Sequence, residues 1–161
     1  MTKEYSHLIN NLIDWGKSFD KLKALIVIGS QSRTEYHADE YSDLDMIMVA
    51  DDPEYFLISN QWLENIGKYH ISFVENTFAG LKERRILFEG ALDVDFVIIP
   101  NNIINNVITD IDAMKIFGQG YTILLDKINL NKIFPQFNQK KSLFDMPSEQ
   151  EFINIIKEIY I

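Results

Sequence analysis

Two aspartates one residue apart, Asp43 and Asp45 in Ser42-Asp43-Leu44-Asp45-Met46-Ile47-Met48, are the first residues of this chain whose spacing could do chemistry. On a strand, alternate side chains share a face, so both carboxylates project together while Leu44, Met46 and Met48 pack behind them. Like charges so placed repel unless something positive lies between them, and a hard divalent cation with oxygen ligands, Mg²⁺, suits the pair. Upstream, Leu25-Ile26-Val27-Ile28 reads as a buried strand that ends abruptly at Gly29. Gly29-Ser30 permits a tight turn whose free N–H groups can face an anion such as phosphate. A phosphate cradle beside a metal-binding carboxylate pair is what phosphate-transfer chemistry needs. A third element is Leu92-Asp93-Val94-Asp95-Phe96-Val97-Ile98-Ile99. Asp93 and Asp95 share a face opposite Leu92, Val94, Phe96 and Ile98, and an acid in a buried strand is expensive unless paired or metal-bound. If this strand lies beside Asp43 and Asp45, three or four carboxylates converge, enough to hold two metals ~3.5–4 Å apart.

The elements that must position these residues alternate in period. An amphipathic helix opens the chain, with Tyr5, Leu8, Ile9, Leu12, Ile13 and Phe19 on its apolar side, and carries no chemistry of its own. The first strand is expected at about 24–29 and the second at 43–50, with an irregular polar stretch from Thr34 to Ser42 between them. Asp51-Asp52-Pro53-Glu54 reads as a helix start with Pro at the first helical position, and the helical stretch runs on to Gly67 past Trp62 and Leu63. Tyr69 to Val74 is a third strand. Arg84–Glu89 and Leu92–Ile99, separated by Gly90-Ala91, form a tight antiparallel hairpin closed by Pro100. One helix carries Ile103, Ile104, Val107, Ile108, Ile111 and Met114 and stops at Gly118, and Tyr121–Leu125 is a short last strand. Ser148 and Glu151 are spaced as a capping box opening a very apolar helix, for which self-association is the expected use.

Composition sets the limits. With 161 residues, 47% of them hydrophobic, the chain can bury one domain core and a fragment of a second. The absence of cysteine excludes disulfides, thiolate zinc sites and cysteine nucleophiles. No apolar run approaches the ~20 residues of a membrane helix, and Met1-Thr2-Lys3-Glu4 is no signal peptide, so a cytoplasmic location is expected. A net charge of −9 argues against nucleic acid as a partner and favours a polycation. Glu75 and Glu89 are candidate general bases but read as exposed acids. His7, His37 and His70 lack ligand spacing and read as structural or exposed. Trp62, Tyr69 and Phe73 are able to stack on an adenine but read as core.

Taken together, Gly29-Ser30, the downstream Arg33, Asp43-x-Asp45 and the third-strand carboxylate resemble the polymerase-β-type nucleotidyltransferase superfamily. More narrowly, the chain resembles the aminoglycoside 6-adenylyltransferases, the streptomycin-modifying enzymes. The likeness is carried by the Gly-to-Asp spacing, Asn60-Gln61-Trp62-Leu63 ahead of Gly67, Leu87-Phe88-Glu89 leading into Val94–Pro100, and Tyr121–Lys127. The fold this implies is α/β (α+β), a mixed sheet flanked by helices. The resemblance also implies that residues 1–128 would form the catalytic domain, and residues 129–161 a linker and the first helix of a truncated helical C-terminal domain.

The resemblance implies Mg²⁺-dependent transfer of AMP from ATP to an aminoglycoside hydroxyl, with release of pyrophosphate and resistance to the antibiotic. Asp43, Asp45 and Asp95 would be catalytic and would ligate Mg²⁺, and Gly29, Ser30 and Arg33 would hold the nucleotide. Asp95, if it lies near the attacking oxygen, would also accept its proton. Close relatives often carry Arg directly after Gly-Ser. This chain has Gln31 there, and Arg33 instead suits the wider Gly-Ser-x-x-Arg pattern. Two other functions stay open on the residues: transfer to a protein or tRNA acceptor, as in toxin–antitoxin relatives, and a non-catalytic binding or assembly role.

Overall fold

A computed structural model describes residues 2–33, 38–39, 41–77 and 80–134, with isolated positions 148, 150 and 153. The order of elements is α1 (Ser6–Ser18), β1 (Leu22–Val27), β2 (Leu44–Ala50), α2 (Pro53–Ile58), β3 (Tyr69–Asn76), β4 (Lys82–Phe88), β5 (Leu92–Pro100), α3 (Ile104–Thr109), α4 (Ile111–Gly118) and β6 (Thr122–Asp126). Short 3₁₀ turns lie at Gly29–Ser32, Leu63–Asn65, Asn101–Ile103 and Leu130–Lys132.

The strands form a six-stranded mixed sheet in the order β3-β4-β5-β2-β1-β6. Only β2 and β5 run parallel; the other neighbours are antiparallel. The parallel pair is joined by a long connection, α2 packed on one face and then the β3–β4 hairpin, which extends the sheet beyond β5. Both sheet faces are covered, each by its own apolar cluster. Leu25, Val27, Leu44, Met46, Met48, Val94, Phe96 and Ile98 pack under α1, α2 and the Trp62–Ile66 segment. Ala24, Ile26, Ile47, Val49 and Ile99 pack under α3, α4 and Leu130 and Phe134. This is why β2 and β5 read as nearly continuous apolar runs: a strand buried on both faces cannot alternate.

The expected mixed sheet with flanking helices is present, and several boundaries differ from expectation. The helix expected from Pro53 to Gly67 stops at Ile58. Asp52 caps it, accepting from the Tyr55 N–H at 3.3 Å, and the apolar Trp62-Leu63 pair belongs to a separate 3₁₀ turn. The helix expected over 103–118 is two helices. Asp110 takes an extended ψ of 138° and its carboxylate caps the second helix at the Asp112 and Ala113 N–H groups. Phe73, expected in the core, is half exposed on the edge strand β3, whereas Trp62 is fully buried. The helix expected to open at Ser148, and self-association through it, fall largely outside the described residues. Among the described residues no helix is long and apolar enough to cross a membrane.

Candidate active site

Period-two alternation places Asp45 on the face of Ile47 and Val49, and Asp95 on the face of Val97 and Ile99. The parallel register pairs Asp45 directly with Asp95. Asp43 stands one residue before β2 on the same side. One carboxylate oxygen from each of Asp43, Asp45 and Asp95 lies within 4.8 Å of the others. Asp93 does not join this group; its carboxylate faces Arg85 at 3.9 Å. Three of the four acids singled out by the sequence therefore converge at the end of the two central strands.

Crowding and burial shape their chemistry. Burial, followed by the charges of Asp43 and Asp95, pushes the Asp45 carboxyl up to about 6, against the opposing pull of Arg33 and Arg85. Burial also raises Asp95, and the Arg85 guanidinium partly offsets this. A divalent cation among three such oxygens would relieve their mutual repulsion. The donor set, hard oxygens at ligand spacing in a partly desolvated corner, fits Mg²⁺.

The Gly29–Ser32 turn is built against this corner. The Ile28 N–H donates to the Asp45 carbonyl at 3.0 Å, extending the β1–β2 ladder to the turn. Gly29 has φ +67°, and a Cβ there would lie 2.3 Å from Asp45 Oδ2, so only glycine lets the backbone pass the carboxylate so closely. Ser32 Oγ donates to the Val27 carbonyl at 2.8 Å and closes the turn from below. Ser30 Oγ is buried and makes no hydrogen bond among the described residues, which leaves a polar atom for a ligand beside the acids. Arg33 caps the turn, and its Nη2 donates to Gln119 Oε1 at 2.7 Å.

Three residues at the site were given no part in it by the sequence. Arg85 on β4 is paired in register with Asp95 and donates through Nε to Asp95 Oδ1 at 2.9 Å, with Glu75 Oε1 3.4 Å from its Nη1. Glu75, a candidate base, is thus part of this ion-pair group, while Glu89 faces Lys68 at 4.0 Å, away from the cluster. Tyr5 donates to the carbonyls of Asp93 at 3.0 Å and Ser42 at 3.3 Å, tying the two acidic segments to the start of α1. Burial first, and then Asp43 and Asp93, push its hydroxyl up to about 12, so it stays a donor. Gln31, where close relatives often carry Arg, is buried: its Nε2 donates to the Ser42 carbonyl at 3.2 Å and its Oε1 accepts the Thr2 N–H at 2.9 Å. It braces the segment before Asp43 and does not point a charge at the turn.

Comparison with known proteins gives a consistent family and fold. The family described as Streptomycin adenylyltransferase matches residues 2–161. Among solved structures, an aminoglycoside 6-adenyltransferase from Bacillus subtilis superposes over 99% of this chain and 54% of its own, with a TM-score of 0.50 and 18% identity. A terminal uridylyl transferase 4 from Trypanosoma brucei matches 65% of this chain and 37% of its own, with a TM-score of 0.38 and 15% identity. No curated protein matches. The chain spans about half the length of the Bacillus structure it resembles.

Proposed function

The chain belongs to the streptomycin adenylyltransferase family, and on that premise we propose that it transfers AMP from ATP to a hydroxyl of a streptomycin-like aminoglycoside. The observation that carries this reading is the convergence of Asp43, Asp45 and Asp95 against the Gly29 turn. In the reaction the acceptor oxygen bonds to the α-phosphorus, the bond from that phosphorus to the bridging oxygen breaks, and pyrophosphate leaves. Asp43, Asp45 and Asp95 would hold Mg²⁺, which when bound neutralises phosphate charge and orients the α-phosphoryl group. Gly29 and Ser30 offer the phosphates backbone N–H groups and an unpaired hydroxyl, and Arg33 adds positive charge on the same side. Asp95, raised by burial yet held by Arg85, takes the hydroxyl proton. Most of the gain is positioning and charge complementarity.

Residues 1–128 constitute the nucleotidyltransferase domain in this reading, and residues 129–161 lead into a helical second domain. The acidic balance of −9 suits a polycationic acceptor. An enzyme drawing on ATP works in the cytoplasm and there confers resistance to the antibiotic.

The test is pyrophosphate release with ATP, Mg²⁺ and streptomycin, with mass spectrometry of the antibiotic. A gain of one AMP by streptomycin, lost in Asp43→Asn and Asp45→Asn, is the expected result. Transfer to a protein or tRNA with none to aminoglycosides would overturn the acceptor assignment. Turnover surviving both substitutions would overturn the metal assignment.

A further inference from the structure

The α4–β6 connection meets the nucleotide turn at one point, and a glycine makes the meeting possible. Gly120 has φ +133°, and a Cβ there would lie 2.8 Å from the Ser32 carbonyl oxygen and 3.3 Å from Arg33 Cα. Backbone thus packs on backbone, with Ser32 Oγ also 3.4 Å from Thr122 Oγ1 at the start of β6. This contact fixes the place of the preceding residue, Gln119, whose Oε1 takes the 2.7 Å hydrogen bond from Arg33 Nη2. The two residues lie 86 positions apart in sequence.

An arginine side chain has large rotamer freedom, and a phosphate that captures it must first immobilise it. Gln119 removes part of that freedom beforehand. A guanidinium has five N–H donors, more than a single amide oxygen can take. The amide oxygen is also neutral. It orients the guanidinium without cancelling its charge, whereas a carboxylate at the same place would pair with it and compete with the phosphate.

We infer that Gln119, presented by Gly120, is a positioning residue that presets Arg33 for the nucleotide phosphates. This deepens the proposed function and rests on Arg33 being a phosphate ligand. Gln119 itself touches no nucleotide and acts through Arg33.

The experiment is a calorimetric titration of the full chain with ATP in Mg²⁺, using Arg33→Ala, Gln119→Ala, Gln119→Glu and the double variant Arg33→Ala/Gln119→Ala. Gln119→Ala is expected to weaken binding roughly three- to tenfold, the effect of one lost hydrogen bond. Gln119→Glu, nearly the same shape, is expected to weaken it too, an effect that loss of packing does not produce. The double variant should bind as Arg33→Ala does, because removal of Arg33 leaves Gln119 nothing to position. Wild-type affinity in Gln119→Ala, or a double variant weaker than Arg33→Ala by the full factor of the Gln119 change, overturns the inference. Arg33→Ala binding like the unmodified chain would instead overturn the reading of Arg33 as a ligand, and no binding by the unmodified chain would overturn the nucleotide site. A second readout needs no nucleotide: relaxation of the Arg33 Nε–H signal in the free protein. Its order should fall in Gln119→Ala, and an unchanged signal counts against positioning.

Discussion

At the scale of single residues, the metal-free site stores unfavourable charge, and Asp45 bears most of it. Its carboxyl is pushed to about 6 by burial and by Asp43 and Asp95. A raised folded-state pKa means that the fold prefers the neutral acid. Its stability contribution is present below the unfolded value of about 4 and is lost as pH rises through about 6. Without metal, Asp45→Asn should therefore melt higher than the unmodified chain at pH 8, and the gap should close near pH 4. Because Asp45 is partly open to solvent, the gain is discounted to on the order of 1–2 kcal/mol. Saturating Mg²⁺ should shrink or reverse it, since the ion stabilises only the chain that binds it. Thermal melts at the two pH values, with and without Mg²⁺, check the sign. A variant that is less stable at pH 8 without metal would contradict the charge argument. Gly29→Ala tests the neighbouring contact. Its Cβ would collide with Asp45 Oδ2 at a positive φ, so turnover should drop at least a hundredfold and stability by about 1–2 kcal/mol. The Asp43-x-Asp45 pair was legible because period two depends on nothing but neighbours. Arg85 and Gln119 were not, because each meets its partner through a register or a turn packing that only the folded sheet creates.

At the scale of elements, one buried arginine decides where a helix ends. Arg84 on β4 is 3% exposed. Its Nη1 donates to the carbonyls of Phe56 at 2.9 Å and Ser59 at 2.6 Å, its Nη2 to Asn60 Oδ1, and its Nε to Ser72 Oγ at 2.8 Å. The guanidinium also lies 5.7 Å from the centroid of the Trp62 ring, and Trp62 Nε1 donates to the Phe56 carbonyl. The last carbonyls of α2 are thus satisfied from across the fold and the chain turns away at Ser59. A continuous helix would bury those same groups differently. Apolar periodicity over 53–67 was compatible with one helix, and nothing local announced the arginine that interrupts it. Asp110 splits the later helix in a more readable way, since Asp followed by helix formers is an N-cap signature. Arg84→Met should cost on the order of 3 kcal/mol in denaturant unfolding, because several buried acceptors lose their donor together. Arg84→Lys should recover only part of it, since one ammonium can serve the two carbonyls that Nη1 holds but cannot also reach Asn60 Oδ1 and Ser72 Oγ. A variant within about 0.5 kcal/mol of the unmodified chain would show that α2 and its turn hold without this tether.

At the scale of the whole molecule, topology and charge act together. Placing β2 beside β5 in parallel brings acids 50 residues apart in sequence to one end of the sheet. The same register leaves β4 and the edge strand β3 beyond them, with Phe73 paired to Arg85 and Arg85 to Asp95. The Gly29 turn lies on the other side of the carboxylates, next to β1. In the proposed reaction a nucleotide held there would leave the β4 side for the acceptor, because attack must come opposite the departing pyrophosphate. The mixed sheet was legible from the run lengths and turns, but its strand order was not, since period and propensity do not say which strands are neighbours. Three acids crowd this corner of the sheet, and the whole chain carries −9. A polycation approaching it is drawn by a field that salt screens over about 10 Å at 0.1 M ionic strength. Raising ionic strength from about 0.05 M to about 0.3 M should therefore lower kcat/KM for an aminoglycoside severalfold, mainly through KM. ATP as a magnesium complex carries negative charge, so its KM should stay level or fall over the same range. Steady-state kinetics with each substrate varied in turn separates the two trends. An aminoglycoside KM indifferent to salt would mean that the acceptor is recognised by short-range contacts alone, and the acidic balance would then say nothing about it.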